Sequence, residues 1–222
     1  MGRRNAFIEA YTLLFEHFGA QGWWPGETAF EIVVGAILTQ NTNWGNVRKA
    51  IVNLKDAGIL DFNSLLELPA ETLAEYIRPS GYYNIKARRL KNLLGMIRDN
   101  YGGSLDGLLA DQTARARENL LSVQGIGPET ADSILLYAGG HPVFVVDAYT
   151  HRIFSRHGLV DVESDYHRLQ EVFEDRLPRD VALYNEFHAL IVMTGKHFCK
   201  KTSPLCDRCP LRGLNDIDGS DA

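Results

Sequence analysis

The sequence predicts an all-α protein. Apolar residues recur three and four positions apart through most of the chain. No stretch alternates apolar with polar residues as a half-buried strand does. Glycine and proline fall between the periodic runs, where helices must stop.

The helices follow in order. Phe7, Tyr11, Leu14, Phe15 and Phe18 mark a first amphipathic helix. Residues 30–40 are apolar nearly all round, which suits a buried central helix. Val47, Ile51 and Leu54 continue at helical spacing and stop near Gly58. Residues 65–77 and 85–97 read as two further helices, separated by Arg78-Pro79-Ser80-Gly81. Residues 120–123 and 130–138 flank a glycine-rich hairpin. Residues 143–146 are apolar, but Gly139-Gly140-His141-Pro142 precedes them and a helix follows, so they read as an extended linker. Helices over 147–154, 166–173 and 183–193 complete the chain, and a loose acidic tail follows Arg212.

Composition narrows the function classes. At 222 residues the chain can bury a sizeable core, as one large domain or two small lobes. No apolar run approaches the ~20 residues that span a bilayer, and the N-terminus lacks the apolar core of a secretory signal. A cytoplasmic, monomeric, soluble chain with no membrane partner is expected. The net charge of −5 argues mildly against nucleic acid, but its distribution matters more. Residues 78–98 hold six basic side chains (Arg78, Lys86, Arg88, Arg89, Lys91, Arg98) and no acidic one. Alone, such a run is as readily a solvated helix face as a binding surface. A second run, Lys196, Lys200, Lys201, Arg208 and Arg212, surrounds the only cysteines, Cys199, Cys206 and Cys209. Three cysteines within eleven residues make a disulfide framework a poor reading and a metal a better one.

The chemistry concentrates in two segments. In Gln124-Gly125-Ile126-Gly127-Pro128-Glu129-Thr130, two glycines permit a tight turn and close approach to a ligand. Pro128 suits the first position of the helix that follows. Amides at a helix start attract an anion, and a DNA phosphate is a fitting one. A Gly-x-Gly alone is more often a packing corner. Some twenty residues on, Val145-Val146-Asp147-Ala148 places an acid between an apolar run and a helix. Such an Asp is most often an N-cap. It can be both cap and reactive group, because amides at a helix start hold a carboxylate ionised.

Together, hairpin and Asp resemble the helix-hairpin-helix Gly-Pro-Asp DNA glycosylases of the endonuclease III superfamily. Leu38-Thr39-Gln40-Asn41-Thr42 looks like the segment whose glutamine enters the duplex where the damaged base has left. Arg78-Pro79-Ser80-Gly81-Tyr82-Tyr83-Asn84-Ile85-Lys86-Ala87 is similar to its DNA-contacting loop. Cys199-x6-Cys206-x2-Cys209 matches the first three ligands of its 4Fe–4S loop. Within the superfamily, Gly22-Trp23-Trp24-Pro25 and the segments above look most like 3-methyladenine DNA glycosylase III.

The resemblance implies two helical lobes with a DNA-binding cleft between them. Residues 1–28 with 140–222 would carry Asp147 and the cysteine loop, and residues 29–139 the hairpin. It implies lesion-bearing double-stranded DNA as partner, with Asp147 as catalytic carboxylate and Trp23, Trp24 and Trp44 lining a base pocket. Tryptophans in such places are as often simply core. Gln40, Asn41, Gly81, Tyr82, Asn84, Lys86, Gly125, Gly127 and Thr130 would contact DNA, with a monovalent cation at the hairpin. An aromatic pocket suits an electron-poor alkylated purine.

Two departures from the pattern are informative. Bifunctional relatives carry a lysine where this chain has Glu129, and a carboxylate cannot form their Schiff base. Adenine-excising relatives need a glutamate about one turn before the glutamine, where this chain has Gly35 or Ala36. A monofunctional glycosylase for alkylated purines is therefore expected. Glycosylases for mismatched uracil or thymine, or for oxidised pyrimidines, are the alternatives on the same scaffold. A non-catalytic DNA-binding module is the alternative of another class. The fourth cluster ligand should stand at Asn215. A 4Fe–4S cluster on Cys199, Cys206 and Cys209 with an oxygen or nitrogen fourth ligand is the expected cofactor; a 3Fe–4S cluster, a Cys3His zinc site with His197, and no metal at all are the alternatives.

Overall fold

The computed structural model describes residues 5–214, so Asn215 lies outside the described residues. Among the described residues all regular structure is helical, and no helix is long and apolar enough to cross a membrane. The chain divides into two compact units: Met1–Trp23 with Pro142–Ala222, and Trp24–His141.

In the first unit, α1 (Ala6–Phe18) opens on Asn5, whose side chain accepts from the Phe7 amide. The extended stretch 142–146 leads into α10 (Ala148–Arg156), which is followed by α11 (Tyr166–Arg176) and α12 (Val181–His197). Each of these three opens on an aspartate, Asp147, Asp165 and Asp180, whose side chain accepts from the third amide of the helix. Such caps are worth about 1 kcal/mol each. The core is aromatic: Phe144 stacks on Phe173 at 4.4 Å, and Phe7 meets Phe173 edge-on at 4.9 Å. Buried Phe154, Tyr184 and Phe187 fill the remainder. At the α10–α12 crossing Gly195 stands against Tyr149, and a Cβ there would fall 2.1 Å from the tyrosine Cδ1. Only glycine lets the two helices approach so closely.

The second unit holds α2 (Ala29–Leu38), α3 (Trp44–Asp56), α4 (Phe62–Glu67), α5 (Ala70–Tyr76), α6 (Tyr83–Tyr101), α7 (Leu105–Leu109), α8 (Thr113–Ser122) and α9 (Pro128–Ser133). As its all-round apolarity predicts, α2 is the central element, with Val33, Val34, Ile37 and Leu38 all at most 1% exposed. Three expectations are corrected. Residues 65–77 are two helices, because Pro69 forces Leu68 into an extended conformation (ψ 133°) and breaks the run. Helices α7 and most of α8 were not anticipated; α7 is a single short turn, and α8 has a weak apolar stripe in which only Ala116 and Leu120 are buried. Residues 130–138 are α-helical only to Ser133, after which Ile134–Ala138 widens into a π-helical turn.

Candidate functional site

In the second unit, α8 and α9 form the helix-hairpin-helix. The hairpin turns at Gly125, whose φ of +97° lies in the region that favours glycine. A Cβ there would also meet the Arg89 side chain at 2.5 Å. Ile126 plugs the turn into the core, and Arg117 holds fully buried Asp132 bidentately across it at 2.7 and 3.0 Å. Pro128 takes the first position of α9 and no side chain caps that end; Gly125 and Gly127 are exposed on either side of Ile126, whose amide donates to the Val123 carbonyl (3.0 Å).

Gln40 docks on this hairpin. Its Nε2 donates to the Gly125 carbonyl (3.1 Å) and to Thr130 Oγ1 (2.9 Å), while its Oε1 accepts from Arg89 Nη1 (2.5 Å). Three residues expected to meet DNA thus form one network. Arg89 is its missed fourth member; only its place in the basic run hinted at a role.

The loop before α6 carries further candidates. Gly81 (φ +68°) and Tyr82 (φ +46°) are both in the left-handed region, as is exposed Asn41 (φ +54°) just past α2. For a non-glycine residue this costs roughly 1–2 kcal/mol, a cost that clusters at functional loops. Tyr82 is 67% exposed, and Asn84 is exposed beside it. Lys86 does not join them, which corrects its expected role as a DNA contact. It is 1% exposed, and its Nζ donates to the carbonyls of Leu38 (2.8 Å) and Ser80 (2.7 Å). Burial and the nearby charge of Arg89 push its pKa down to about 8. Lys86 is an internal strut that ties the end of α2 to the loop before α6.

The aromatic candidates fall in both units. Trp24 and Trp44 meet edge-on at 5.2 Å, and Tyr137, from the π-helical turn, lies 5.2 Å from Trp24 at a tilt of 42°. Gly35 keeps α2 open at this point: a Cβ there would sit 3.3 Å from Trp24 Nε1. Trp23 belongs to the first unit, with Lys196 Nζ 5.9 Å from its ring.

In the first unit, Asp147 caps α10. Its Oδ1 accepts from the Thr150 amide (2.7 Å) and hydroxyl (2.9 Å), and the Thr150 hydroxyl in turn faces the Asp147 amide at 3.3 Å. Its Oδ2 faces His188 Nε2 on α12 at 3.7 Å. Burial pushes this carboxyl upward, but His188 and the two Thr150 donors outweigh it and hold the group below the usual carboxylate range. The result is an ionised acid at the head of α10, suited to stabilising a developing cation or orienting a water.

The cysteine loop follows α12. Cys199 is buried and its Sγ faces Arg156 Nη1 at 3.3 Å, while Cys206 is exposed and Cys209 half-buried. Burial, with the neighbouring thiols Cys199 and Cys206, pushes the Cys209 thiol up. Among the described residues no three His, Cys, Asp or Glu side chains gather closely enough to hold a metal ion. With three thiols and Asn215 at the fourth position, this donor set does not complete a four-ligand cluster. Arginines of α10 hold the loop: Arg152 donates to the Cys199 carbonyl (2.8 Å), and Arg156 to those of Lys200 (2.8 Å) and Lys201 (3.0 Å).

Comparison with known proteins adds to this geometry. Residues 34–179 match the family described as HhH-GPD superfamily base excision DNA repair protein. A provisionally named DNA repair glycosylase of Methanocaldococcus jannaschii is 50% identical over 203 residues, covering 91% of this chain and 92% of that protein. The crystal structure of H. pylori 3-methyladenine DNA glycosylase bound to 1,N6-ethenoadenine superposes with a TM-score of 0.75 at 34% identity, covering 87% of this chain and 98% of that one. A trapped endonuclease III–DNA covalent intermediate superposes with a TM-score of 0.80, covering 96% of each chain; at 23% identity it speaks for the fold alone.

Proposed function

The chain belongs to the HhH-GPD superfamily of base excision DNA repair glycosylases, and we propose that it is a monofunctional member that hydrolyses alkylated purines from duplex DNA. The observation that carries this reading is the ionised carboxylate of Asp147, fixed at the head of α10 by Thr150.

A stacked base is out of reach, so the nucleotide must first leave the helix. The amides of the exposed Gly125 and Gly127 meet the phosphate backbone; a monovalent cation bound at the hairpin would offset part of its charge. Gln40 exchanges its bonds to Gly125 and Thr130 for the gap in the duplex, and Asn41, Gly81, Tyr82 and Asn84 contact the strands around it. Breaking the N-glycosidic bond builds positive charge on the sugar. The carboxylate of Asp147 stabilises that charge and receives a proton from the attacking water. An alkylated purine often carries positive charge already, so it departs with little acid catalysis.

Two features support the substrate class. Trp24, Trp44 and Tyr137 gather faces and edges on which an electron-poor base stacks; Trp23 is the further candidate for that pocket. The 34% identical H. pylori enzyme is bound to 1,N6-ethenoadenine, itself an alkylated adenine. Glu129, exposed in the first turn of α9, supplies no amine for a covalent step. The cysteine donor set is incomplete among the described residues, and no step is assigned to a cluster.

The test is free-base release from duplexes bearing 3-methyladenine, 1,N6-ethenoadenine, uracil, mispaired thymine or an oxidised pyrimidine. The reading expects release of the alkylated purines. Release confined to uracil, thymine or oxidised pyrimidine would replace the substrate class. Salt-sensitive binding with no release from any duplex would leave a binding module.

A further inference from the structure

Thr150 holds only Oδ1, through its amide and hydroxyl. A carboxylate held at one oxygen can still tilt about its bond to the chain. His188 faces the second oxygen. Its Nε2 lies 3.7 Å from Oδ2, and both side chains are nearly enclosed, at 8% and 11% exposure. His188 sits within the apolar body of α12, between buried Phe187 and Ala189.

Its approach to Asp147 is set by packing that involves neither residue. Gly195 follows His188 by seven positions, two turns on the same face of α12. There the missing Cβ admits Tyr149 of α10. Arg152 of α10 reaches the Gly195 and Cys199 carbonyls, at 3.4 and 2.8 Å. The crossing of α10 over α12 is thus fixed at two other points, and it brings the head of α10 to His188.

We infer that His188 is the positioning residue for Asp147: its Nε2 faces Oδ2 at 3.7 Å, beyond hydrogen-bond length in the free protein, on the side that Thr150 leaves open. With Thr150 bonded to one oxygen and His188 facing the other, the carboxylate is restricted toward one orientation before the sugar arrives. His188 acts through the acid and takes no proton from substrate. This inference rests on the catalytic role proposed for Asp147.

The experiment is a double-mutant cycle of His188→Leu and Asp147→Asn, with His188→Gln as the conservative variant. Three quantities are read: single-turnover base release, affinity for lesion duplex, and thermal midpoint. His188→Leu should slow release by about 10–100-fold, as loss of a group that orients a functional ligand typically does, with duplex affinity unchanged. His188→Gln keeps an N–H donor and should recover much of that loss. In the Asp147→Asn background, His188→Leu should slow release no further. Equal slowing in both backgrounds, or equal loss in the Leu and Gln variants accompanied by equal drops in thermal midpoint, overturns the inference. So does a wild-type rate for His188→Leu when Asp147→Asn is inactive. Full activity of Asp147→Asn would instead remove the reading on which the inference stands.

Discussion

Replacing Asp147 by Asn should lower single-turnover base release by about a hundredfold to ten-thousandfold, the range for a positioned acid–base group. The substitution is nearly isosteric, and Asn caps a helix as well as Asp does. Its carbonyl oxygen can still accept from the Thr150 amide that Asp147 Oδ1 accepts from at 2.7 Å. What disappears is the charge. Two consequences separate this from a folding defect. Lesion-duplex affinity should stay near wild type, because the proposed phosphate grip lies in the hairpin around Gly125. Stability should fall slightly at neutral pH. The Asp147 carboxyl lies below the ordinary carboxylate range, so its charge stabilises the fold above the unfolded-state pKa and ceases to as pH falls through the depressed value. The stability difference between wild type and variant should therefore narrow in acid. Wild-type release by the folded variant would exclude the role.

Gly195→Ala should be strongly destabilising, against the local expectation. In a helix interior Ala is preferred over Gly by up to about 1 kcal/mol, so α12 on its own would gain. The crossing with α10 reverses the sign. The new Cβ would fall 2.1 Å from Tyr149 Cδ1, 2.7 Å from Cγ and 2.9 Å from Cβ. These atoms are near the root of the tyrosine, so a ring flip does not relieve the contact and α10 itself must shift. Overpacking of this kind costs about 1–3 kcal/mol, a fall in thermal midpoint of roughly 2–4 °C per kcal/mol for a chain of this size. The same shift would move Asp147 relative to His188, so release should also slow. An unchanged midpoint would mean that the helices do not cross this closely.

These two residues mark the limits of what the sequence discloses. Gly125, Pro128 and Asp147 were legible because their signals are local: a turn that demands glycine, a first helical position, an acid leading into a helix. Gln40 and Thr130 were legible one at a time, but not their contact, which joins positions ninety residues apart. Arg89 looked like any member of a basic run, although its guanidinium is turned onto Gln40. Lys86 belonged to the same run and proved to be interior, since composition cannot say which side of a helix a lysine faces. Tyr137 escaped because the π-helical turn shifts the periodicity by which its face would be assigned. The break at Pro69 could have been read from the residue itself; the apolar spacing on both sides concealed it.

The central claim is that a carboxylate drives hydrolysis here and no amine attacks the sugar. Borohydride trapping on a duplex with a single 1,N6-ethenoadenine tests it most directly. The account predicts base release with no protein–DNA adduct and an intact strand until alkali is added. A stable borohydride-dependent adduct, with strand cleavage before alkali, would contradict it.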